Sequence, residues 1–255
     1  MLELYHWEPN GASGRVLIAL KEKGLNFESR YVDVLAFEQH RPDFLALNET
    51  GETPVLVRDG DAFNESSFIC EYLDEAYPEV PLLPKAPIDR WAARTWQKYV
   101  DDYLAAAVSD LAWAALGLPA LKRRDAARTR TAVARIPSKE RRDRWQAAIA
   151  GFNAEMLEKS RERVRLTVEK IEQDLQDRDW LAPGGFSLAD IAVYPYANYL
   201  PRITPELVNA AAAPKTKAWL KRMSARPGVK ATEALSRTGD AYGIAAPGPE
   251  HVRWG

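Results

Sequence analysis

Apolar and polar positions change period repeatedly over residues 1 to about 82. Leu2 and Leu4 alternate with Glu3 and Tyr5, a two-residue period that predicts a strand. Ser13 to Lys23, with Val16-Leu-Ile-Ala-Leu20 at its centre and Gly24 behind it, predicts a helix with a glycine stop. Asn26 to Val32 reads as a second strand and Phe37 to Ala46 as a short helical piece. Val55 to Val57 and Phe63 form a hairpin across Asp59-Gly60-Asp61, and Ser66 to Tyr77 is helical again. Pro78, Pro81, Pro84 and Pro87 then punctuate the chain as in a linker. From Ile88 the pattern is almost wholly helical: Arg90 to Leu116, a middle region to about Gln176, Ser187 to Tyr199, and Pro214 to Arg226.

The order β-α-β-α-β-β-α joins one parallel crossover to a terminal hairpin, the thioredoxin-like arrangement. The expected organisation is an α+β thioredoxin-like domain over residues 1–82, a linker over 83–88, an all-α domain over 89–235 and a tail over 236–255. The tail is Gly- and Pro-rich and ends His251-Val-Arg-Trp254-Gly255, so it is expected to be extended and either loose or folded over a neighbour.

Composition excludes more than it selects. A net charge of −1 recommends neither nucleic acid nor a membrane surface as a partner. The N-terminus carries no basic segment followed by an apolar run, and no stretch is read as a membrane span, which points to the cytoplasm. Cys70 is the lone cysteine, so a dithiol site and a disulfide framework are both excluded. His6, His40 and His251 are scattered, and no metal site is expected. Leu121 to Trp145 is dense in Arg and Lys but lacks interleaved aromatics, and reads as a solvated face.

Chemistry concentrates in Gly51-Glu-Thr-Pro-Val-Leu56 and Asn64-Glu-Ser-Ser-Phe-Ile-Cys-Glu-Tyr-Leu73. Pro54 at the start of an apolar strand suggests a cis Thr53–Pro54 bond that frees the amide and carbonyl of Thr53. Glu65 and Ser66 open a helix, where backbone N–H groups favour an anion while the Glu65 carboxylate could hold an ammonium. A small zwitterionic peptide would use all of these. Ser13, in the loop before the first predicted helix, is a natural N-cap or first-turn residue, and its hydroxyl could instead face a thiolate over the sheet.

Loop-Ser13 before a helix, Gly51-Glu-Thr53-Pro54-Val-Leu, Glu65-Ser66-x-x-Ile-x-x-Tyr-Leu, the proline-rich linker and Phe186-Ser187-Leu-Ala-Asp190-Ile together resemble a cytosolic glutathione transferase. The resemblance runs from Leu2 to about Val229 and implies glutathione as cosubstrate and a homodimer. It implies that Thr53 holds the cysteinyl unit beside Pro54, that Glu65 and Ser66 hold the γ-glutamyl ammonium and carboxylate, and that Gln39 and His40 hold the glycyl carboxylate. Ser13 matches the hydroxyl that hydrogen-bonds the thiolate. Ser187-x-x-Asp190 reads as a structural capping box, and Cys70 as core. A thiol of pKa about 8.5 needs roughly 2.7 kcal/mol of preferential thiolate stabilisation to fall by about two units, within reach of a hydroxyl donor and a helix N-terminus.

The helical domain should choose the electrophile. Trp7, Tyr103, Trp113, Leu116, Trp145 and Phe152 are expected to line a pocket for planar aryl substrates, while Trp91, Trp96, Trp180 and Trp219 read as interhelical core. Ile136-Pro137, Arg142-Asp-Arg-Trp145, Ala148, Gly151-Phe152 and Glu155-Met-Leu157, taken with Phe37-Glu-Gln-His40, look like the bacterial β-etherase branch, which cleaves β-aryl ethers of lignin-derived aromatics. The thiol loop Asn10-Gly-Ala-Ser13-Gly departs from that branch. The implied reaction is attack by glutathione thiolate on the carbon bearing an aryloxy group beside a carbonyl, releasing a phenol, with Tyr103 and Asn153 as possible donors to the departing oxygen. The alternatives are a general detoxifying glutathione transferase and a non-catalytic glutathione-fold binding protein.

Overall fold

The computed structural model describes residues 1–247, so His251 and Trp254 at the end of the predicted tail lie outside the described residues. Strand β1 (Leu2–His6) runs parallel to β2 (Glu28–Tyr31) and antiparallel to β3 (Val55–Arg58), which pairs antiparallel with β4 (Asp61–Phe63). The resulting order is β2-β1-β3-β4, with the one parallel crossover and the terminal hairpin that the pattern predicts. Helix α1 (Gly11–Glu22) makes the crossover from β1 to β2. A 3-10 turn at Glu38–His40 and the short α2 (Pro42–Leu45) stand where the pattern predicts one helical piece, a further 3-10 turn at Val34–Ala36 precedes them, and α3 (Ser66–Ala76) follows the hairpin.

Helix α4 (Pro87–Tyr99) starts inside the stretch read as linker, because proline is well suited to a first helical position. It passes through a π-helical segment at Val100–Leu104 into α5 (Ala105–Ala112), and through a second at Trp113–Gly117 into α6 (Leu118–Lys122). The continuous rod, Pro87–Lys122, contains an 18-residue window apolar enough to cross a membrane, contrary to the sequence reading; 67% of that window is buried inside the protein. Its apolar surface is used by the core. The remaining helices are α7 (Ala126–Ala134), α8 (Lys139–Ala150), α9 (Ala154–Asp174), α10 (Leu188–Ala197), α11 (Leu200–Ile203), α12 (Pro214–Ala225) and α13 (Pro227–Glu233).

The two domains share one core. Eight consecutive residues of α1, Ser13 to Leu20, are buried, since α3, α10 and α13 pack around the helix and Leu4 and Leu56 of the sheet share its apolar cluster. The same apolar cluster runs from Leu4 and Leu56 to Val193, Trp219 and Met223. The predicted capping box opens α10: the Ser187 amide donates to Asp190 Oδ2 at 3.0 Å and Ser187 Oγ accepts from the Ala189 amide at 3.3 Å. Asp190 also accepts from the Leu181 amide and from the indole of Trp219, and burial pushes its carboxyl up to about 6. Of the four tryptophans read as core, Trp96 and Trp219 are buried, but Trp91 is 64% exposed.

The basic stretch is not only a solvated face. Its arginines on α7 are largely exposed, yet Leu121, Val133, Ile136 and Trp145 are buried in a second apolar cluster with Trp7, Val34, Leu35 and Phe37 of the sheet domain. The rings of Phe37 and Trp145 sit 4.6 Å apart at 58°. The α7–α8 insert therefore bridges the domains.

Candidate active site

Between β1 and α1 the chain turns through Trp7-Glu8-Pro9-Asn10, and the helix cap is Asn10, not Ser13. The Asn10 side chain leaves its own helix uncapped and donates to the carbonyls of Ala241 at 2.5 Å and Ile244 at 3.3 Å. Ser13 is thereby released from capping. It lies in the first turn of α1, 4% exposed, accepting from the Trp7 amide at 3.2 Å and donating to Thr53 Oγ1 at 3.4 Å. The Thr53–Pro54 peptide is cis.

Ser13 and Thr53 sit on a cavity of 590 Å³ between the domains, and Gln39, His40 and Glu65 border it as well. Pro54 and Ser66 are not among the residues that line it. The Ser66 hydroxyl accepts from Arg15 Nη1 at 3.1 Å, and that buried guanidinium also meets Ser67 Oγ at 3.1 Å and Asp101 at 2.5 Å. Arg15 thus ties the first turn of α3 to the helical domain. Glu65 precedes α3 at φ 64° and ψ 100°, a left-handed value that costs a non-glycine residue on the order of 1–3 kcal/mol and that aims a side chain from the helix start.

At the other end of the cavity the polar groups are under-used. Gln39 is 2% exposed; its Nε2 donates to the Val34 carbonyl at 3.3 Å, while Oε1 has no partner among the described residues. Both ring nitrogens of His40 likewise lack a hydrogen-bond partner among the described residues. Burial, helped by the charge of Arg141, pulls this imidazole down to about 4, so it is neutral near pH 7. Gly51 has to be glycine here: its φ is +62°, and a Cβ would lie 2.8 Å from His40 Nδ1. Such orphaned buried groups fit a polar ligand.

The walls toward the helical domain are only partly the predicted ones. Trp7 and Trp145 line the cavity, whereas Tyr103, Trp113, Leu116 and Phe152 do not. The Tyr103 ring stacks toward Tyr99 at 5.2 Å and lies under the guanidinium of Arg163. Trp113 is fully buried and donates Nε1 to the Ala148 carbonyl at 2.8 Å, and Leu116 and Phe152 pack into the core clusters. Neither possible leaving-group donor is placed for that task, since Tyr103 faces Arg163 and Asn153 caps α9. In their stead stand Val108, Ser109, Ala112, Tyr196 and Tyr199, with Ala245 to Pro247. Tyr196-x-x-Tyr199 has helical spacing just past the capping box, a signal that was there to be read.

Residues 236–247 close over the thiol loop of their own chain. Glu8, fully buried, accepts from Tyr31 Oη at 2.8 Å, Ser236 Oγ at 2.5 Å, the Arg237 amide at 3.2 Å and Thr238 Oγ1 at 3.3 Å. Tyr199 Oη donates to the Ile244 carbonyl at 2.7 Å, and Arg202 grips the Tyr242 carbonyl and Asp240, each at 2.8 Å. Cys70 plays no part: it is buried and its thiol is pushed up to about 12. Among the described residues no cluster of side chains has the makings of a metal site.

Residues 4–81 match the glutathione S-transferase N-terminal domain and residues 104–227 the glutathione S-transferase C-terminal domain. Protein LigF of Sphingobium sp. is 38% identical over 236 residues, 90% of this chain and 91% of that protein. The crystal structure of β-etherase LigF from Sphingobium sp. strain SYK-6 aligns with a TM-score of 0.86 at 36% identity, over 92% of this chain and 99% of that one. A glutathione transferase homologue from Sulfitobacter, solved with bound glutathione, shares the fold at a TM-score of 0.68 and 22% identity, over 92% of this chain and 97% of that one. With both domain patterns present in order over most of its length, this chain belongs to the glutathione S-transferase family.

Proposed function

We propose that the protein is a glutathione-dependent β-etherase acting on β-aryl ethers of lignin-derived α-carbonyl compounds. The observation that carries the reading is its near full-length likeness, in sequence and in structure, to a β-etherase. The cavity supplies a consistent mechanism. Glutathione lies along Glu65, Thr53 and Gln39, with its sulfur over Ser13. Ser13 turns its O–H from Thr53 to the sulfur, while the Trp7 amide continues to donate to Ser13 Oγ and polarises that hydroxyl. A charge-assisted hydrogen bond of this kind and the N-terminus of α1 favour thiolate over thiol.

The thiolate attacks the carbon that bears the aryloxy group. A C–S bond forms, the C–O bond breaks, and its electron pair leaves on a phenolate that water or a wall hydroxyl protonates. The cavity's contribution is thiolate stabilisation and orientation. Purified protein with glutathione and a β-aryl ether ketone should release one phenol per thioether formed, read by chromatography. Turnover of a generic aryl halide with no phenol released would return it to the general detoxifying class.

A homodimer belongs to the same reading. Phe68 on α3 and Ile88 and Trp91 on α4 are 72%, 69% and 64% exposed, large apolar groups on elements of both domains. Packing one protomer's α3 against the partner's α4 would cover them. Sedimentation of Phe68→Glu should show a monomer, and an unchanged mass would place the interface elsewhere. A cytoplasmic location accords with the single buried thiol of Cys70.

A further inference from the structure

The glycyl end of the cavity lacks a positive charge from its own domain. Gln39 offers an acceptor there, His40 is neutral, and the glutathione carboxylate that the proposed function places beside them is an anion. Burying an anion against neutral groups alone is costly. The charge comes from across the cleft. Arg141 and Arg144 of α8 line this end of the cavity together with Glu49, Gly51 and Glu52.

The two arginines are not equivalent. Arg144 faces the Glu52 carboxylate at 3.8 Å. Arg141 donates Nη1 to the backbone carbonyl of Glu49, a neutral acceptor, and the rest of its fork has no partner among the described residues. Its position is fixed by packing: Trp145, one helical turn further along the same face of α8, is buried against Phe37, in the turn that leads to Gln39 and His40. The anchor that docks the insert on the sheet domain therefore also delivers the guanidinium.

We infer that Arg141 is the cation that captures the glycyl carboxylate of glutathione, so that the α7–α8 insert clamps the cosubstrate from the helical domain and selects it over thiols lacking that carboxylate. This rests on the glutathione reading of the site. A guanidinium fork matches a carboxylate in shape as well as charge, with Gln39 and His40 left to bracket the anion.

Calorimetric titration tests this with three ligands: glutathione, γ-glutamylcysteine, which lacks the glycine, and glutathione with its glycyl carboxylate esterified. The unmodified protein should bind glutathione about tenfold or more tightly than either analogue, the discrimination a charge-assisted contact provides. Arg141→Gln should lose that preference by weakening glutathione alone, and Arg128→Ala, on the exposed face of α7, should leave it intact. Equal weakening of all three ligands by Arg141→Gln, or no weakening, would overturn the inference. So would an unmodified protein indifferent to esterification, a result that needs no variant to fold. Failure of the unmodified protein to bind any of the three would instead bring down the glutathione reading itself.

Discussion

A Cβ built on Gly117 would lie 2.2 Å from the carbonyl oxygen of Ala245 and 2.3 Å from the indole of Trp113. The bare backbone at Gly117 is thus the seat on which the last described residues rest, and those residues line the cavity. Gly117→Ala should overpack this seat at a cost of about 1–3 kcal/mol, or unseat residues 245–247. Either outcome should raise KM for the aromatic substrate and leave glutathione affinity unchanged. Urea unfolding and steady-state kinetics with each substrate varied will show it.

Ser13→Ala removes the side-chain hydroxyl that the proposed mechanism sets against the sulfur. The Trp7 amide remains, but it points at where Oγ was. A hydrogen bond to a charged group is worth about 1.5–3 kcal/mol, so kcat should fall roughly 10- to 100-fold with little change in glutathione affinity. The pKa of bound glutathione, followed by thiolate absorbance, should rise in step. An unchanged rate would assign thiol activation to backbone amides.

Glu8→Gln keeps the size of a buried carboxylate and replaces one of its acceptor oxygens by a donor. Glu8 meets only donors, from Tyr31, Ser236, Arg237 and Thr238, so the new amide hydrogens would oppose them. The loss should be about 1–3 kcal/mol, with faster amide exchange confined to residues 236–246. Uniform acceleration across the chain would point to a global defect instead.

His40 gives stability a pH dependence of known sign. Its folded value, about 4, lies below the ordinary 6.5, so between these limits the unfolded chain binds the extra proton. The contribution is present above pH 6.5 and is lost as pH falls toward 4. Asp190, raised from 3.8 to about 6, works in the opposite direction over a similar window: its contribution is present below 3.8 and lost as pH rises through 6. The difference in unfolding free energy between the unmodified protein and His40→Gln isolates the histidine. It should narrow steadily as the pH is lowered from 6.5 to 4.

Much of the fold was legible because its signals are local. Strand alternation at Leu2 to Tyr5, the glycine after α1 and the Ser187–Asp190 box depend on neighbours in sequence, and each appears where its pattern lies. Ser13 was legible as a residue at a helix start but not in its posture, because the cap passed to Asn10, whose own partners are Ala241 and Ile244. Tyr103, Trp113, Leu116 and Phe152 have the composition of a pocket, and composition does not say which face of a helix looks inward. The two π-helical segments shift the register of the long rod, so faces predicted from a uniform 3.6-residue period drift along it. The basic stretch misled for a related reason: Val133, Ile136 and Trp145 are sparse among its arginines, yet they settle where it docks.

The bond between Ser236 and Glu8 spans 228 positions of sequence. During synthesis the strand, the thiol loop and α1 all emerge early, but the carboxylate in that loop meets three of its four donors only when the segment after α13 arrives. Until then the acid has most of its partners still to be made. Completion of the loop between β1 and α1 is thereby tied to completion of the helical domain and of the segment behind it.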